Sequence, residues 1–383
     1  MKIAIVFDDL IQRGGAERLL SAIHEIWPDA PVYTSVASDD WLSLCEQREI
    51  ILKTSFMQRF PFKKKLNRFY SVFGLHILAF ESFDFSGYDI VLSISARYAH
   101  GIITKPGTKH ICYMNSPGRM FWDPASYFDQ ESDLVHILRP LIALFLSLTK
   151  LWDYTIAQRV DCFIANSEIS QQRIRKFYNR TSEIIYPFVE FSKKVGTQHI
   201  NSPQNPLTAN GTYGNNYFVV LTRLLPWKRV DIAVEACKKL KLNLKITGDG
   251  PARKKLEKVA DGSHNIEFLG YVNEDEKWQI LANCRALILT QAEDFGIASL
   301  EAMSVGKPVV AFRAGGALTT VVEGSTGEFF DEQTVESLCR VLKIFDKSRY
   351  ASDKCRAQVL GFSEHSFVAS LKNFIDNVYS KNA

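Results

Sequence analysis

Short apolar runs recur along the chain, each followed by a stretch whose apolar residues return every three or four positions. Residues 3–7, 90–94, 110–114 and 162–165 are such runs, and each is bounded by polar or turn-forming residues. Runs this short read as buried β-strands, and the intervening spacing reads as amphipathic helix. A second series begins beyond residue 215, at 217–222, 244–247, 266–269, 286–289 and 308–312. Strands that alternate with helices pair in parallel and are covered on both faces. The expected fold class is therefore α/β, with Rossmann-like parallel sheets. Near the end, Phe367, Leu371, Phe374, Ile375 and Val378 stand at helical spacing and predict a final helix within 362–378.

The alternation breaks once. Residues 192–216 contain Asn201-Ser202-Pro203-Gln204-Asn205-Pro206 and Asn210-Gly211-Thr212-Tyr213-Gly214, which is turn chemistry without apolar periodicity. The break divides the chain into 1–190 and 191–363, with 364–383 as a closing helix. A length of 383 residues suits two domains of ordinary size. Two open α/β domains offer ligand sites beyond the carboxyl ends of their strands.

Composition narrows the function. A net charge of +4 is too small to argue for nucleic acid. Cys45, Cys112, Cys162, Cys237, Cys284, Cys339 and Cys355 are scattered and never form a CxxC pair. They argue against a disulfide framework and structural zinc, and for a reducing, cytoplasmic setting. The opening Met1-Lys2-Ile3-Ala4-Ile5-Val6-Phe7 reads as a strand rather than a leader peptide. The longest apolar stretch, 140–148, is far shorter than a bilayer span.

The most informative segment runs from Gln291 to Met303. The apolar run 286–289 ends, a loop carries Glu293, Asp294, Phe295 and Gly296, and a helix is expected to start near Ile297. Gly296 permits a turn and a close backbone approach, and the free amides of a helix start suit a phosphate. Glu293 then lies on the loop and Glu301 one turn into the helix, where both carboxylates can accept from sugar or ribose hydroxyls. Taken alone, Glu301 reads better as a solvated helix residue and Glu293 as a charge at the helix N-terminus. Upstream, the strand 217–222 delivers Arg223 and Lys228, two cations suited to a departing diphosphate. Gly248-Asp249-Gly250-Pro251 is either a nucleotide-packing turn or a plain tight turn. Gly315-Gly316 gives a further glycine turn at a strand end.

In this order, Arg223 and Lys228, Gly248-Asp249-Gly250-Pro251, Phe268-Leu269-Gly270, the two glutamates and Gly315-Gly316 resemble the retaining glycosyltransferases of family four. These have the GT-B fold, two Rossmann-like domains facing a cleft. Glu293-Asp294-Phe295-Gly296-Ile297 and Val321-Val322-Glu323-Gly324-Ser325-Thr326-Gly327 look closest to GDP-mannose-using mannosyltransferases of O-antigen and exopolysaccharide assembly. The resemblance implies that 191–363 binds the nucleotide-sugar donor, that 1–190 receives the acceptor, and that the closing helix packs back on the first domain. It implies that Arg223 and Lys228 grip the diphosphate, Glu293 meets the transferred sugar and Glu301 holds the ribose. Phe295, Gly296 and Ile297 would present amides to sugar and phosphate, Gly248 would pack beside the nucleotide, and Tyr271 and Val272 would flank the base. No cofactor or metal is expected, and the acceptor would be lipid-linked or a saccharide.

In the first half, Gly14-Gly15 before a helix reads as an approach point for phosphate or sugar, and the resemblance puts Gly15 under the donor phosphates. Asn115 follows the strand 110–114 where the resembling enzymes usually carry His; an amide can hydrogen-bond but not relay a proton. Arg119 suits an anionic acceptor or a structural ion pair. Asp8-Asp9, without further ligands, is a weak metal site. His100 and His110 read as core or surface histidines. From 50 to 80 there is no Asp or Glu, while Arg59, Lys63, Lys64, Lys65 and Arg68 stand among Phe56, Phe60, Phe62, Phe69 and Tyr70. Leu141, Phe145, Leu148 and Trp152 follow on a later helix. Basic residues mixed with aromatics suit peripheral contact with the anionic inner face of a membrane. Rival readings are a UDP-sugar-dependent transferase of the same fold, an epimerase or hydrolase of sugar nucleotides, and a non-catalytic nucleotide-sugar binder. A nicotinamide dehydrogenase fits less well, because no GxGxxG follows the first strand.

Overall fold

The structure is a computed structural model describing residues 1–12, 14–123, 139–189 and 216–380. The side chains of Lys64, Lys65, Arg68, Phe69, Val72, Arg139, Pro140, Leu141 and Ile142 lie outside that description. So does the linker stretch read at 192–216, except for Asn216. The chain divides into two compact units: Met1–Pro187 together with Glu364–Ala383, and Phe188–Ser363.

Among the described residues, the first unit holds a seven-stranded sheet in the order β3-β2-β1-β4-β5-β6-β7. The strands are β1 (Ile3–Phe7), β2 (Val32–Thr34), β3 (Leu52–Thr54), β4 (Ile90–Ser95), β5 (Lys109–Met114), β6 (Cys162–Ala165) and β7 (Ser182–Ile184). Every pairing is parallel. Because both faces are covered, β1 and β4 are buried at every position, which accounts for their continuous apolar runs. The Glu364–Ser380 helix belongs to this unit and buries Phe367, Leu371 and Ile375. Phe367 meets the ring of Tyr113 edge-on, with centroids 6.0 Å apart.

The second unit holds a six-stranded parallel sheet in the order β10-β9-β8-β11-β12-β13. Its strands are β8 (Phe218–Leu221), β9 (Leu244–Thr247), β10 (Ile266–Gly270), β11 (Leu287–Leu289), β12 (Val309–Phe312) and β13 (Gly327–Phe330). Its core joins Phe218, Val220, Leu244, Ile246, Ile288 and Val310 to the buried face of the Val230–Leu240 helix.

In each sheet the strand order reverses once, between β1 and β4 in the first unit and between β8 and β11 in the second. A parallel sheet opens a crevice at the carboxyl ends of such a strand pair, because the two connections leave toward opposite faces. The cysteines are all free thiols, buried apart from the half-buried Cys162. No described helix is long and apolar enough to cross a membrane.

Candidate functional site

The reversal in the second unit gathers most of the residues singled out in the sequence. Beyond β8 the chain exposes Arg223, then makes the short Pro226–Lys228 turn, where proline pre-sets the backbone. Lys228 is buried, its ammonium 4.3 Å from the centre of the Trp227 ring. Its Nζ pairs with Oε1 of Glu293. The same oxygen accepts from Gln291 Nε2 at 2.8 Å. Thr290 Oγ1 donates to the Lys228 carbonyl at 2.8 Å, so the lysine turn is tied to the end of β11. Glu293 and Lys228 are thus one charged unit at the crevice.

The Glu293 loop is set by the glycine turn after β12. Gly316 N donates to the Glu293 carbonyl at 2.7 Å. A Cβ on Gly315, which has φ +69°, would stand 2.3 Å from that same oxygen. Gly315→Ala is therefore expected to push the Glu293 loop away, costing about 1–3 kcal/mol of stability. Urea unfolding would show it; a variant as stable as the parent would refute this packing argument.

Gly296, at φ +79°, turns the chain into the Ile297–Ser304 helix. Phe295 is buried and meets Phe362 edge-on at 5.7 Å. Glu301 is also buried, and Lys277 Nζ reaches its Oε1 at 2.8 Å and Glu274 Oε2 at 2.7 Å. A buried carboxylate needs such a partner. The sequence reading missed Lys277. It lies on the Glu274–Asn283 helix, whose capping box of Asn273 and Glu276 fixes the start. Its signal was there: a lysine beside Trp278, Ile280 and Leu281, the buried face of that helix.

β8, β9 and β10 are adjacent and parallel, so the loops bearing Arg223, Gly248 and Tyr271 emerge on one edge. Gly248 has φ +106° and donates its amide to the Gly270 carbonyl at 2.7 Å; a Cβ there would lie 2.0 Å from the Thr222 carbonyl. The Gly248 turn is thus closely packed between its neighbours. Tyr271 is 85% exposed, and Val272 after it is half-buried.

In the first unit, Asp8 stands at the reversal between β1 and β4. Its carboxylate accepts from the amides of Ala96 (2.6 Å), Arg97 (3.0 Å), Tyr98 (2.8 Å) and Ala99 (2.7 Å). Asp9 pairs with Arg97 and accepts from Asn67 Nδ2 at 3.3 Å. Both acids therefore shape the loop after β4 and serve as structural acceptors. Asn67 Oδ1 and Ser35 Oγ flank His76 at 3.1 and 2.9 Å, and burial pushes the His76 pKa down to about 3.

Gly15 begins the Gly15–Ile26 helix and is exposed. Asn115 is half-buried; its backbone N–H donates to the Ser95 carbonyl and its backbone carbonyl accepts from Ser170 Oγ, each at 2.8 Å. Arg119 opens the Arg119–Trp122 helix just beyond. The basic stretch is described only in part: Arg59 is exposed, and Lys63 reaches Asp39 at 3.2 Å.

His100 and His110 are core residues. Ser95 Oγ lies 3.0 Å from His100 Nδ1, and His100 Nε2 lies 3.0 Å from Asp153 Oδ1. Trp122 and Tyr178 donate to the other oxygen of Asp153 at 2.6 and 2.8 Å. These are the residue types of a nucleophile triad, but all three are fully buried, so they hold the core rather than meet a substrate. His110 Nε2 meets Ser93 Oγ at 2.8 Å, and burial lowers its pKa to about 3.

Residues 209–358 match the family described as glycosyl transferases group 1. The matched stretch lies within the second unit. Among curated proteins, the chain is 35% identical over 115 residues to an uncharacterized glycosyltransferase of Methanocaldococcus jannaschii, covering 29% of this chain and 33% of that one. It is 27% identical over 194 residues to O-antigen chain mannosyltransferase C of Escherichia coli, covering 49% of this chain and 48% of that one. The chain thus spans a third to a half of the length of these relatives. Among solved structures, HepE of Anabaena in complex with UDP-glucose superposes with a TM-score of 0.68 at 19% identity, covering 98% of this chain and 100% of that one. The fold is GT-B, with two Rossmann-like units of parallel sheet.

Proposed function

We propose that the protein is a retaining glycosyltransferase that moves mannose from GDP-mannose to a lipid-linked or saccharide acceptor in surface polysaccharide synthesis. The observation that carries this reading is the Lys228–Glu293 pair at the strand reversal, beside Arg223 and the start of the Ile297–Ser304 helix. Arg223, Lys228 and the helix start neutralise the diphosphate as it departs, and no metal is needed for that step. Glu293 receives the hydroxyls of the transferred sugar. Glu301, held by Lys277, accepts from the ribose; Tyr271 and Val272 flank the base and Gly248 packs beside it. Gly15 approaches the phosphates. Asn115 positions the sugar by hydrogen bonding, and Arg119 meets an anionic acceptor. The acceptor oxygen bonds to the anomeric carbon on the face the diphosphate leaves. The anomeric carbon–phosphate oxygen bond breaks, and the acceptor's proton passes to the phosphate oxygen. The likeness to a mannosyltransferase supports the sugar, and the motif resemblance supports guanine.

The competing donor is a UDP-sugar, because HepE, of like fold, holds UDP-glucose. Calorimetry with GDP-mannose, UDP-glucose, UDP-GlcNAc and UDP-galactose separates the two. GDP-mannose is expected to bind selectively, and Glu301→Ala or Lys277→Met to weaken it by about tenfold, the loss of one charge-assisted hydrogen bond. Selective binding of a UDP-sugar would replace the donor; equal weak binding of all four would reject the transferase reading.

We further propose that the protein works at the anionic inner face of the cytoplasmic membrane, where a lipid-linked acceptor resides. The stretch 50–80, with Arg59 and Lys63 and no acidic residue, supports this.

A further inference from the structure

The first unit has an apolar groove of about 300 Å³ that none of the roles above uses. It lies between the Leu75–Glu81 helix, with the preceding Phe73 and Gly74, and the Arg139–Ala157 helix. Phe73 and Phe145 meet edge-on at 5.2 Å, Ile77 and Leu78 line one wall, and Leu148 and Trp152 line the other. Of the polar groups in the lining, the Thr149 hydroxyl donates to the Phe145 carbonyl at 2.7 Å within its own helix, and the Trp152 indole donates to Glu81 Oε1 at 3.4 Å. The walls therefore offer a ligand contact area and no hydrogen bond.

The rim continues this character outward. Leu78 is 59% exposed, Leu144 and Leu148 each 57%, and Leu151 66%. Leu144, Leu148 and Leu151 stand at i, i+4 and i+7, one stripe of a single helix. Exposed apolar surface of this extent marks an interaction site. Nearby in the chain, Phe62 is 71% exposed although its φ is +50°, a conformation costly for an aromatic residue. Charge decides between partners. The described part of the long helix carries one acid, Asp153, which is fully buried, and 50–80 carries none. The neighbouring carboxylates Asp39 and Glu81 are paired with Lys63 and Arg159, so a leucine stripe beside a segment of unbroken cationic character complements a surface that is apolar within and anionic outside.

We propose that this groove takes one hydrocarbon chain of an anionic lipid, so that the first unit is held by a chain inserted into the protein as well as by charge. The leucine stripe and Phe62 enter the acyl layer, and Arg59 and Lys63 face the headgroups. The inference rests on the membrane reading above and adds a site to it.

Trp152 lines the groove and serves as its reporter. The full chain is mixed with phosphatidylcholine vesicles, with and without phosphatidylglycerol, whose acyl chains are brominated. Sedimentation reads surface binding, and bromine quenching of tryptophan emission reads chain contact. Sedimentation with the anionic vesicles is expected, with quenching that disappears in Trp152→Phe. Leu148→Glu keeps Trp152, changes an exposed position and is expected to weaken vesicle binding about tenfold. Sedimentation with equal quenching in Trp152→Phe would overturn the groove and leave the membrane reading standing. Equal binding to uncharged vesicles would overturn the anionic assignment, and no sedimentation would overturn both; the donor titration is unaffected by either.

Discussion

Lys228→Met is expected to lower kcat/KM of the proposed transfer by about 10²- to 10³-fold, the usual effect of removing one preorganised group that stabilises developing charge. The methionine keeps the apolar stem over Trp227 and removes only the ammonium. In the structure that ammonium is already held by Glu293, whose carboxylate accepts from Gln291 and whose backbone carbonyl accepts from the Gly316 amide. The cation therefore needs no reorganisation when negative charge grows on the diphosphate. Because the effect lies in the transition state, kcat should fall more than GDP affinity. The variant leaves Glu293 without its cation, so unfolding must be measured beside turnover. A folded Lys228→Met protein within a few-fold of the parent would remove Lys228 from the mechanism.

Acid is expected to unfold the first unit ahead of the second. His76 and His110 are buried there as neutral rings, with pKa values near 3 because burial disfavours the charged form. For His76, the nearby Arg97 lowers it further; for His110, His100 does so. Unfolding restores each to about 6.5, so below that value the unfolded chain binds protons the folded one does not. Their contribution is complete above pH 6.5 and is lost as pH falls toward 3. At pH 5 each has given up about 2 kcal/mol, or about 4 together, a large fraction of a domain's stability. Calorimetry from pH 7.5 to 5 should show one transition move down. His110→Gln, which does not titrate, should be less stable than the parent at pH 7.5 and close the gap at pH 5. A transition that stays fixed over this range would show that these rings are already charged, or remain neutral when unfolded.

Much of this was legible in the chain. Runs that are buried on both faces, such as Ile3–Phe7 and Cys162–Ala165, need nothing but continuous apolar character, and they stand out for that reason. Strands β2, β3, β7 and β13 did not. Val32–Thr34 is buried throughout but is three residues long, too short to register as a period. Leu52–Thr54 and Ser182–Ile184 are half-exposed edge strands with Lys53 and Glu183 at their centres. They are strands because a neighbour pairs with them, and that pairing is not local. The candidate site divides in the same way. Arg223, Glu293 and Gly296 sit at strand ends, where glycine and charge are visible side by side. Lys277 meets Glu301 from another helix, and Asp8 gathers four amides from a loop more than eighty residues away in sequence.

The place of the Glu364–Ser380 helix has a consequence for biosynthesis. The second unit is a continuous stretch, Phe188–Ser363, while the first is made of two pieces separated by it. During translation the second unit can close its core before the last helix is made. The first must wait with Tyr113 uncovered at the position Phe367 will fill. Until the Glu364–Ser380 helix is made, the first unit therefore keeps part of its apolar core open, the condition under which unfinished domains associate wrongly.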